Sequence, residues 1–322
     1  MAVFGIGILP LFATVTVAFP KPGDRLPPVD RTWISGAVSR EVKSLKVQGK
    51  DVEIYRTGAW LAMVSVSGGE NSIEIIADGA TTNVSIKVQH GKIAAAGDAP
   101  QAAGKQPIYK KLPYAADEAK KHPSGKTPGE TTIAIDPGHG GEKDTGATSP
   151  HGHFEKDANL ALAFEVRHAL EALGYKVKMT RETDRPLVLT DRARIACGED
   201  GADAFVSIHH NSTPYDRDPR LARYTSVYEW NAIGKALAEK ISASVGAALE
   251  GDVENRGVLH ANFAVTRNPE VPSCLVEADF LNTPEGEEAV WNGVRRRKIG
   301  EAIAAGIDEW CKGGAGSKKE SS

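Results

Sequence analysis

From residue 131 onward, strand-like and helix-like segments alternate along the chain. Short apolar runs typical of strands are "TTIAID", "YKVKMT", "DAFVSIH", "YTSVYEW", "FAVT" and "SCLVEADF". Longer segments with a repeating apolar face are typical of helices, and they cover residues 156–173, 189–198, 231–249 and 285–311. This alternation predicts an α/β domain over residues 131–311, with a mostly parallel sheet flanked by helices.

The segment before this domain has a different pattern. Residues 31–91 contain the runs "KSLKV", "DVEIY", "WLAMVSV", "NSIEIIA" and "NVSIKV", which alternate apolar and polar residues and are separated by glycine-containing turns. Such a pattern, without a long helical segment, predicts a small all-β sandwich. It resembles the immunoglobulin-like modules of exported bacterial proteins. We expect this module to act as a spacer.

The remaining segments have the composition of processing signals, linkers and tails. Residues 1–18 are apolar, lack charge and end in small residues, which predicts a signal peptide cleaved near Ala18. The alternatives are an apolar tail or a buried first strand. Residues 92–130 are rich in Ala, Gly, Lys and Pro and are predicted to form a linker, and residues 312–322 a polar tail. We therefore expect an exported protein of the periplasm or cell envelope, without an integral membrane segment once mature.

Charge and cysteine content exclude several classes of function. A formal net charge of −3 provides no electrostatic basis for binding nucleic acid or an anionic membrane. Cys197, Cys274 and Cys311 do not have the spacing of a zinc motif, and we expect them to behave as small apolar residues. We expect a monomer.

Polar side chains follow several of the predicted strands. His139 lies in the glycine-rich stretch "DPGHGG", His209, His210 and Asn211 end the run "AFVSIHHN", and Glu277 lies near the end of "SCLVE". Chemistry in such sheets gathers outside the carboxyl ends of the strands, so we expect these residues to meet at one edge.

A further acid, Glu155, lies between the glycine-rich stretch and the next helix, where stabilisation of the helix dipole is the simpler explanation. Two histidines and a carboxylate can bind Zn²⁺ and leave a fourth position for water. A nearby glutamate outside the ligand set can then act as a general acid–base. The residues alone therefore suggest a metal-dependent hydrolase.

Four stretches occur in the order found in a known family. They are "IAIDPGHGG", "FEKDANLAL", "ADAFVSIHHN" and "NRGVLHANFAVTRNPEVPSCLVEADFLN", and with the sequence between them they resemble the zinc-dependent N-acetylmuramoyl-L-alanine amidases of the bacterial cell wall over residues 131–310. The resemblance implies that His139, Glu155 and His209 bind one zinc ion and that Glu277 is the catalytic acid–base. It also implies peptidoglycan as the substrate, cleaved between N-acetylmuramic acid and L-alanine.

The sequence departs from the family pattern at several positions. His210 stands where Ala is common, Asp279 replaces a glycine beside Glu277, and Cys197 and Cys274 replace Asn and an aliphatic residue. We expect His210 to face the opposite side of its strand from His209. Arg192 matches a recurrent family arginine, for which we expect an internal ion pair.

Other polar residues are candidates for substrate or metal binding. Asn211, Arg256 and His210 are candidate substrate contacts. For Asn211 and Arg256 the simpler explanation is a place in a turn. For His210 the alternatives are contact with a metal-ligand residue or simple exposure. His151 and His153 are rival metal ligands, for which exposed positions in a polar loop are the simpler explanation. Two other functions remain open, namely a zinc peptidase acting on other peptides and a non-catalytic wall-binding protein.

Overall fold

The computed structural model describes residues 14–91, 126–197, 201–267 and 271–313. The chain divides into two compact units, one built mainly from residues up to Lys92 and one from the residues after it. The first is all-β and the second is α/β with a mostly parallel sheet, which confirms the predicted fold class.

The first unit consists of two sheets. One has three antiparallel strands, β1 (Val15–Phe19), β3 (Arg31–Val38) and β6 (Ala59–Ser65). The other has five strands in the order β2 (Arg25–Leu26), β8 (Ala80–Val88), β7 (Gly69–Ala77), β4 (Leu45–Val47) and β5 (Lys50–Asp51). Alternate residues of both sheets, among them Ile34, Trp60, Ile73 and Ile86, form one shared core.

This unit begins earlier than the sequence predicted. β1 and β2 precede residue 31, and β1 pairs with β3 in antiparallel register. β1 also overlaps the predicted signal peptide, so cleavage near Ala18 would remove most of a paired strand. Residues 15–19 form a paired strand, and the signal peptide stays a prediction. Residues 1–13 lie outside the described residues.

The second unit is built on a six-stranded sheet. Its strands, in spatial order, are β10 (Lys176–Met179), β9 (Thr132–Pro137), β11 (Ala204–Asn211), β14 (Ser273–Phe280), β12 (Tyr224–Glu229) and β13 (Glu254–His260). Neighbouring strands are parallel except at β12 and β14. The helices are α1 (Glu155–Ala172), α2 (Leu189–Cys197), α3 (Ala232–Ala248), α4 (Pro284–Trp291) and α5 (Gly293–Gly313).

Both faces of this sheet are covered. On one face Ile133, Val206 and Val276 pack against side chains of three helices, namely Leu162 of α1, Ile241 of α3 and Ile303 of α5. On the other face, Ala134, Phe205 and Leu275 pack with Val265. Burial on both faces explains why the parallel strands are nearly continuous apolar runs.

Some elements differ from the sequence prediction. "FAVT" is not a strand, because Ala264–Thr266 forms a 3-10 turn. The predicted helix over residues 285–311 is two helices, separated where Asn292 leaves helical geometry. The predicted linker is described only from residue 126, where Pro128–Glu130 forms a 3-10 turn before β9, and the predicted tail only up to residue 313. No helix in the described part of the chain combines the length and apolar character that a membrane span requires.

Candidate metal centre

Three side chains from three separate elements meet at the carboxyl edge of the sheet. They are His139 from the loop after β9, Glu155 at the first residue of α1, and His209 near the end of β11. His209 Nδ1 lies 2.9 Å from Glu155 Oε1, and His139 Nε2 lies 3.3 Å from Glu155 Oε2. One ligand atom from each lies within 4.8 Å of the other two. We call this set the ligand triad.

The glycine-rich loop makes room for the triad. An added Cβ at Gly138 would lie 2.1 Å from His209 Nε2. One at Gly146 would lie 2.5 Å from Glu155 Oε2 and 2.7 Å from a ring carbon of His139. Neither position can carry a side chain while the three ligand side chains stay together.

Charges inside the triad compensate one another. Burial alone would raise the pKa of Glu155, but hydrogen bonds to His139 and His209 hold it well below its usual value. Burial alone would lower the pKa of His139, but Glu155 and Asp144 raise it to about 9. A buried carboxylate facing two imidazoles is a donor set of two nitrogens and one oxygen, which suits Zn²⁺. The residues present therefore fit a zinc ion.

Asp144 orients one of the candidate ligands. It contacts Nδ1 of His139, so Nε2 is the nitrogen that faces Glu155. A carboxylate on the far nitrogen is a frequent arrangement at metal-binding histidines, because it fixes the ring and its tautomer.

A buried ion pair lies directly behind the glycine-rich loop. Asp136 and Arg192 are almost fully buried and 2.8 Å apart, as predicted for Arg192. Asp136 also accepts hydrogen bonds from the hydroxyls of Thr180 and Ser207. Arg192 Nη2 donates to the backbone oxygen of His139 at 2.7 Å, where the backbone is left-handed with φ of 60°. The ion pair therefore supports an unusual backbone conformation at a candidate ligand.

A second buried arginine holds the same loop. Arg181 donates to the backbone oxygens of Pro137, Gly138 and Lys156 at 2.7–2.9 Å. Arg181 was not among the residues singled out in the sequence, because an arginine two residues after a lysine-containing strand has no local signal of burial. Together the two guanidiniums leave few alternative positions for the backbone that carries His139.

Glu277 occupies the neighbouring strand at the same edge. It pairs in register with His209 across β11 and β14. Its Oε2 atom is shielded from solvent and has no hydrogen-bond partner among the described residues. Burial, and to a lesser degree the charge of Glu155, raise the pKa of Glu277 well above its usual value. The predicted edge thus holds a fourth candidate side chain, with one oxygen that no described residue hydrogen-bonds.

Asp279, the glycine replacement noted in the sequence, is fully buried two residues further on. It receives hydrogen bonds from Arg223 at 2.8 and 3.1 Å and from Arg295 at 2.7 Å. Both arginines also pair with Asp252. The departure from the family pattern is therefore compensated by a local charge network, which fixes the strand end beside Glu277.

The three candidate substrate contacts lie in different environments. Asn211 accepts a hydrogen bond from the backbone nitrogen of Ser212, which is the turn-ordering role. Arg256 is exposed at the bulged start of β13, with its guanidinium 3.6 Å above the ring of Tyr224. His210 faces away from His209 and is only 4% exposed, and burial lowers its pKa to about 4. A substrate role for His210 finds no support in this burial.

The rival histidines are not part of the triad. His153 contacts Glu287 at 3.1 Å, which also binds Ser149. Within the described ranges, His139, Glu155 and His209 are the only three His, Cys, Asp or Glu side chains grouped closely enough to hold one ion.

Curated relatives align with about three fifths of the chain. The probable cell wall amidase LytH of Staphylococcus saprophyticus is 33% identical over 191 residues, covering 59% of this chain and 62% of that protein. LytH of Staphylococcus aureus is 33% identical over 200 residues, covering 61% and 62%. The alignments thus span about three fifths of the length of these relatives.

Solved structures agree. N-acetylmuramoyl-L-alanine amidase AmiC2 of Nostoc punctiforme superposes with a TM-score of 0.53 at 34% identity, covering 58% of this chain and 99% of that one. The catalytic domain of CwlV from Bacillus (Paenibacillus) polymyxa var. colistinus gives 0.52 at 30% identity, covering 56% and 98%. The family model described as N-acetylmuramoyl-L-alanine amidase matches residues 133–309, more than half of the chain. The chain therefore belongs to the N-acetylmuramoyl-L-alanine amidase family.

Proposed function

We propose that this protein is a zinc-dependent amidase of peptidoglycan, cleaving the amide between N-acetylmuramic acid and the L-alanine of the stem peptide. The observation that supports this best is the ligand triad beside a glutamate with an unpartnered buried oxygen, both at the carboxyl edge of the sheet. The substrate class comes from the family and from relatives named as cell wall amidases.

His139, Glu155 and His209 would hold the zinc ion. When bound there, zinc would polarise the scissile carbonyl and lower the pKa of water towards about 7. Arg192 and Arg181 hold the backbone of His139, so the donor atoms are positioned before a metal arrives. Preorganised ligands of this kind lose little conformational entropy on binding.

Glu277 is the proton carrier in this proposal. Its carboxylate accepts the proton of the attacking water and returns it to the departing amine nitrogen. The raised pKa of Glu277 supports this role. A group that both takes and gives a proton works best when its pKa is shifted from the ordinary carboxyl value towards the operating pH. The neighbouring backbone, fixed by Asp279 and its arginines, holds the carboxyl in place.

The edge strand offers a contact for the substrate. Arg256 presents an exposed guanidinium that is stacked on Tyr224, and the Tyr224 ring meets Phe280 edge-on, 4.7 Å between centroids. We propose that Arg256 binds a carboxylate of the stem peptide, and that Asn211 shapes the turn beside it. We also propose that the protein is exported to the periplasm or cell envelope and acts as a monomer. The all-β unit would then serve as a spacer.

A digest of purified cell walls tests the proposal. The metal-loaded chain is expected to release intact stem peptides with N-terminal alanine, identified by mass spectrometry. Cleavage inside the stem would instead indicate a peptidase, and binding to walls without any release would indicate a non-catalytic wall protein. The His139→Ala variant is the control, since it removes one ligand of the triad and is expected to release nothing.

A further inference from the structure

Asn159 lies one helical turn after Glu155 on α1 and is fully buried. Its Nδ2 donates to Glu155 Oε1 at 3.1 Å and to the backbone oxygen of Gly138 at 3.2 Å. Both neighbours are acceptors only, so they fix the orientation of the amide. The Oδ1 atom of Asn159 must therefore point the other way.

In that direction lies His210. Its Nδ1 is 2.8 Å from Asn159 Oδ1, and since that oxygen can only accept, Nδ1 carries the hydrogen. The backbone nitrogen of His210 also donates directly to Glu155 Oε1, at 3.2 Å. One residue thus reaches the same carboxylate oxygen twice, directly and through Asn159.

These contacts determine the orientation of the carboxylate. Oε1 is held by the two donors just described, while Oε2 accepts from the backbone nitrogen of Ala147 at 2.9 Å. With both oxygens held, Oε1 faces His209 and Oε2 faces His139. If the carboxylate of Glu155 rotated, Oε1 would no longer face His209 and Oε2 would no longer face His139.

We propose that His210 and Asn159 are positioning residues that orient Glu155 for metal binding, with His210 acting through Asn159. The inference rests on the proposed zinc site and extends it to two residues that do not touch the metal. It also gives a reason for a buried histidine at a position where the family commonly has alanine. Without His210, Asn159 Oδ1 would be buried without its donor, and this unsatisfied acceptor makes the position in which Asn159 holds Glu155 less stable.

The test is a double-mutant cycle read out as zinc affinity of the full chain, measured by competition with a chromophoric chelator. Asn159→Ala is expected to weaken zinc binding about 10- to 100-fold, and His210→Ala about 10-fold. If His210 acts through Asn159, the double variant binds zinc no more than about 3-fold more weakly than Asn159→Ala alone. A residue that only supports folding would show additive effects.

Two further variants keep the test decisive. His210→Asn places an amide nitrogen near the position of imidazole Nδ1 and is expected to recover most of the affinity, even if His210→Ala folds poorly. Ser242→Ala is the matched control, because Ser242 is also a buried polar residue but contacts Asn255 instead. Its zinc affinity should equal that of the wild type.

The outcomes separate this inference from the proposed function. Equal losses on His210→Ala in both backgrounds, or wild-type affinity in Asn159→Ala while Glu155→Ala loses zinc, overturn the inference and leave the zinc site intact. A wild-type chain that binds zinc no better than His139→Ala overturns both.

Discussion

Glu155 and Glu277 lie at the same edge of one sheet, yet their surroundings are opposite. Glu155 has partners on both oxygens, from Asn159, His210 and Ala147 as well as the two triad histidines. Glu277 has an oxygen, Oε2, that is shielded from solvent and has no hydrogen-bond partner among the described residues. The pKa of the first is held well below its usual value, against the effect of burial, and that of the second is raised well above it by burial.

The difference shows how one residue type can serve two purposes in one site. A carboxylate saturated with donors stays charged and stays still, as a metal ligand must. A carboxyl group without donors is able to gain and lose a proton. The proposed roles of Glu155 as ligand and Glu277 as acid–base therefore rest on their hydrogen bonding rather than on their position along the sheet.

The largest predicted effect comes from replacing the carboxyl group of Glu277 with an amide. Glu277→Gln is expected to lower kcat on cell walls at least 10²- to 10⁴-fold, because the proton carrier is lost, while one zinc ion per chain is retained. Glu155→Gln is the counterpart and should lose zinc as well as turnover. Metal analysis and a muropeptide release assay on both variants measure this. Normal turnover in Glu277→Gln would remove the distinction between the two carboxylates.

The next largest effect concerns the buried ion pair of Asp136 and Arg192, which lies behind the glycine-rich loop. Arg192→Ala leaves Asp136 buried without its cation and is expected to lower the free energy of unfolding by about 3–5 kcal/mol. Arg194→Ala on the same helix is the control, since Arg194 is 79% exposed and its pair with Asp191 contributes under about 1 kcal/mol. Urea denaturation compares them. Equal stability of the two variants would mean that the buried pair does not support the loop.

A third prediction concerns pH in the metal-free protein. The pKa of His139 is raised to about 9 in the folded chain. The contribution of its protonated ring to the free energy of unfolding is therefore fully present below about pH 6.5 and is lost as the pH rises through 9. We expect the free energy of unfolding to fall by at most about 3 kcal/mol across this range. Thermal melts in chelator measure it. His139→Gln should remove this slope, and an unchanged slope in that variant would assign it to other groups.

The smallest effects compare two buried hydroxyls. Thr180 donates to Asp136, so Thr180→Val is expected to cost about 1–3 kcal/mol. Thr213 lies beyond β11, and its hydroxyl has no partner among the described residues. Thr213→Val should therefore be neutral or stabilising by under about 1 kcal/mol. Denaturation curves under the same conditions test the pair, and a larger loss at Thr213 would reveal a partner such as ordered water.

Much of the site follows from sequence because the parallel strands end at one edge. His139, His209 and Glu277 each come at or near the end of an apolar run, so topology alone brings them together. Glu155 was assigned only through the family resemblance, since its distance from His209 depends on where α1 begins. The buried partner of Asn159 depends on which face of β11 the helix α1 covers, and no local pattern encodes that.

The missed elements have local causes. The start of β13 at Glu254–Gly257 has the polar and glycine residues of a turn, but a register shift against β12 accommodates them within the strand. "FAVT" has the composition of a strand, yet Val265 is buried from a 3-10 turn. In both segments tertiary packing outweighs local preference.

Gly138 and Gly146 make this site vulnerable in an unexpected way. An added methyl group at either position would lie within 2.5 Å of a triad atom. Two atoms that are not bonded to each other cannot approach so closely. Loss of function by mutation therefore does not require loss of a donor or a charge here. Alanine at Gly138 or Gly146 is therefore expected to displace side chains of the triad that we propose to bind zinc.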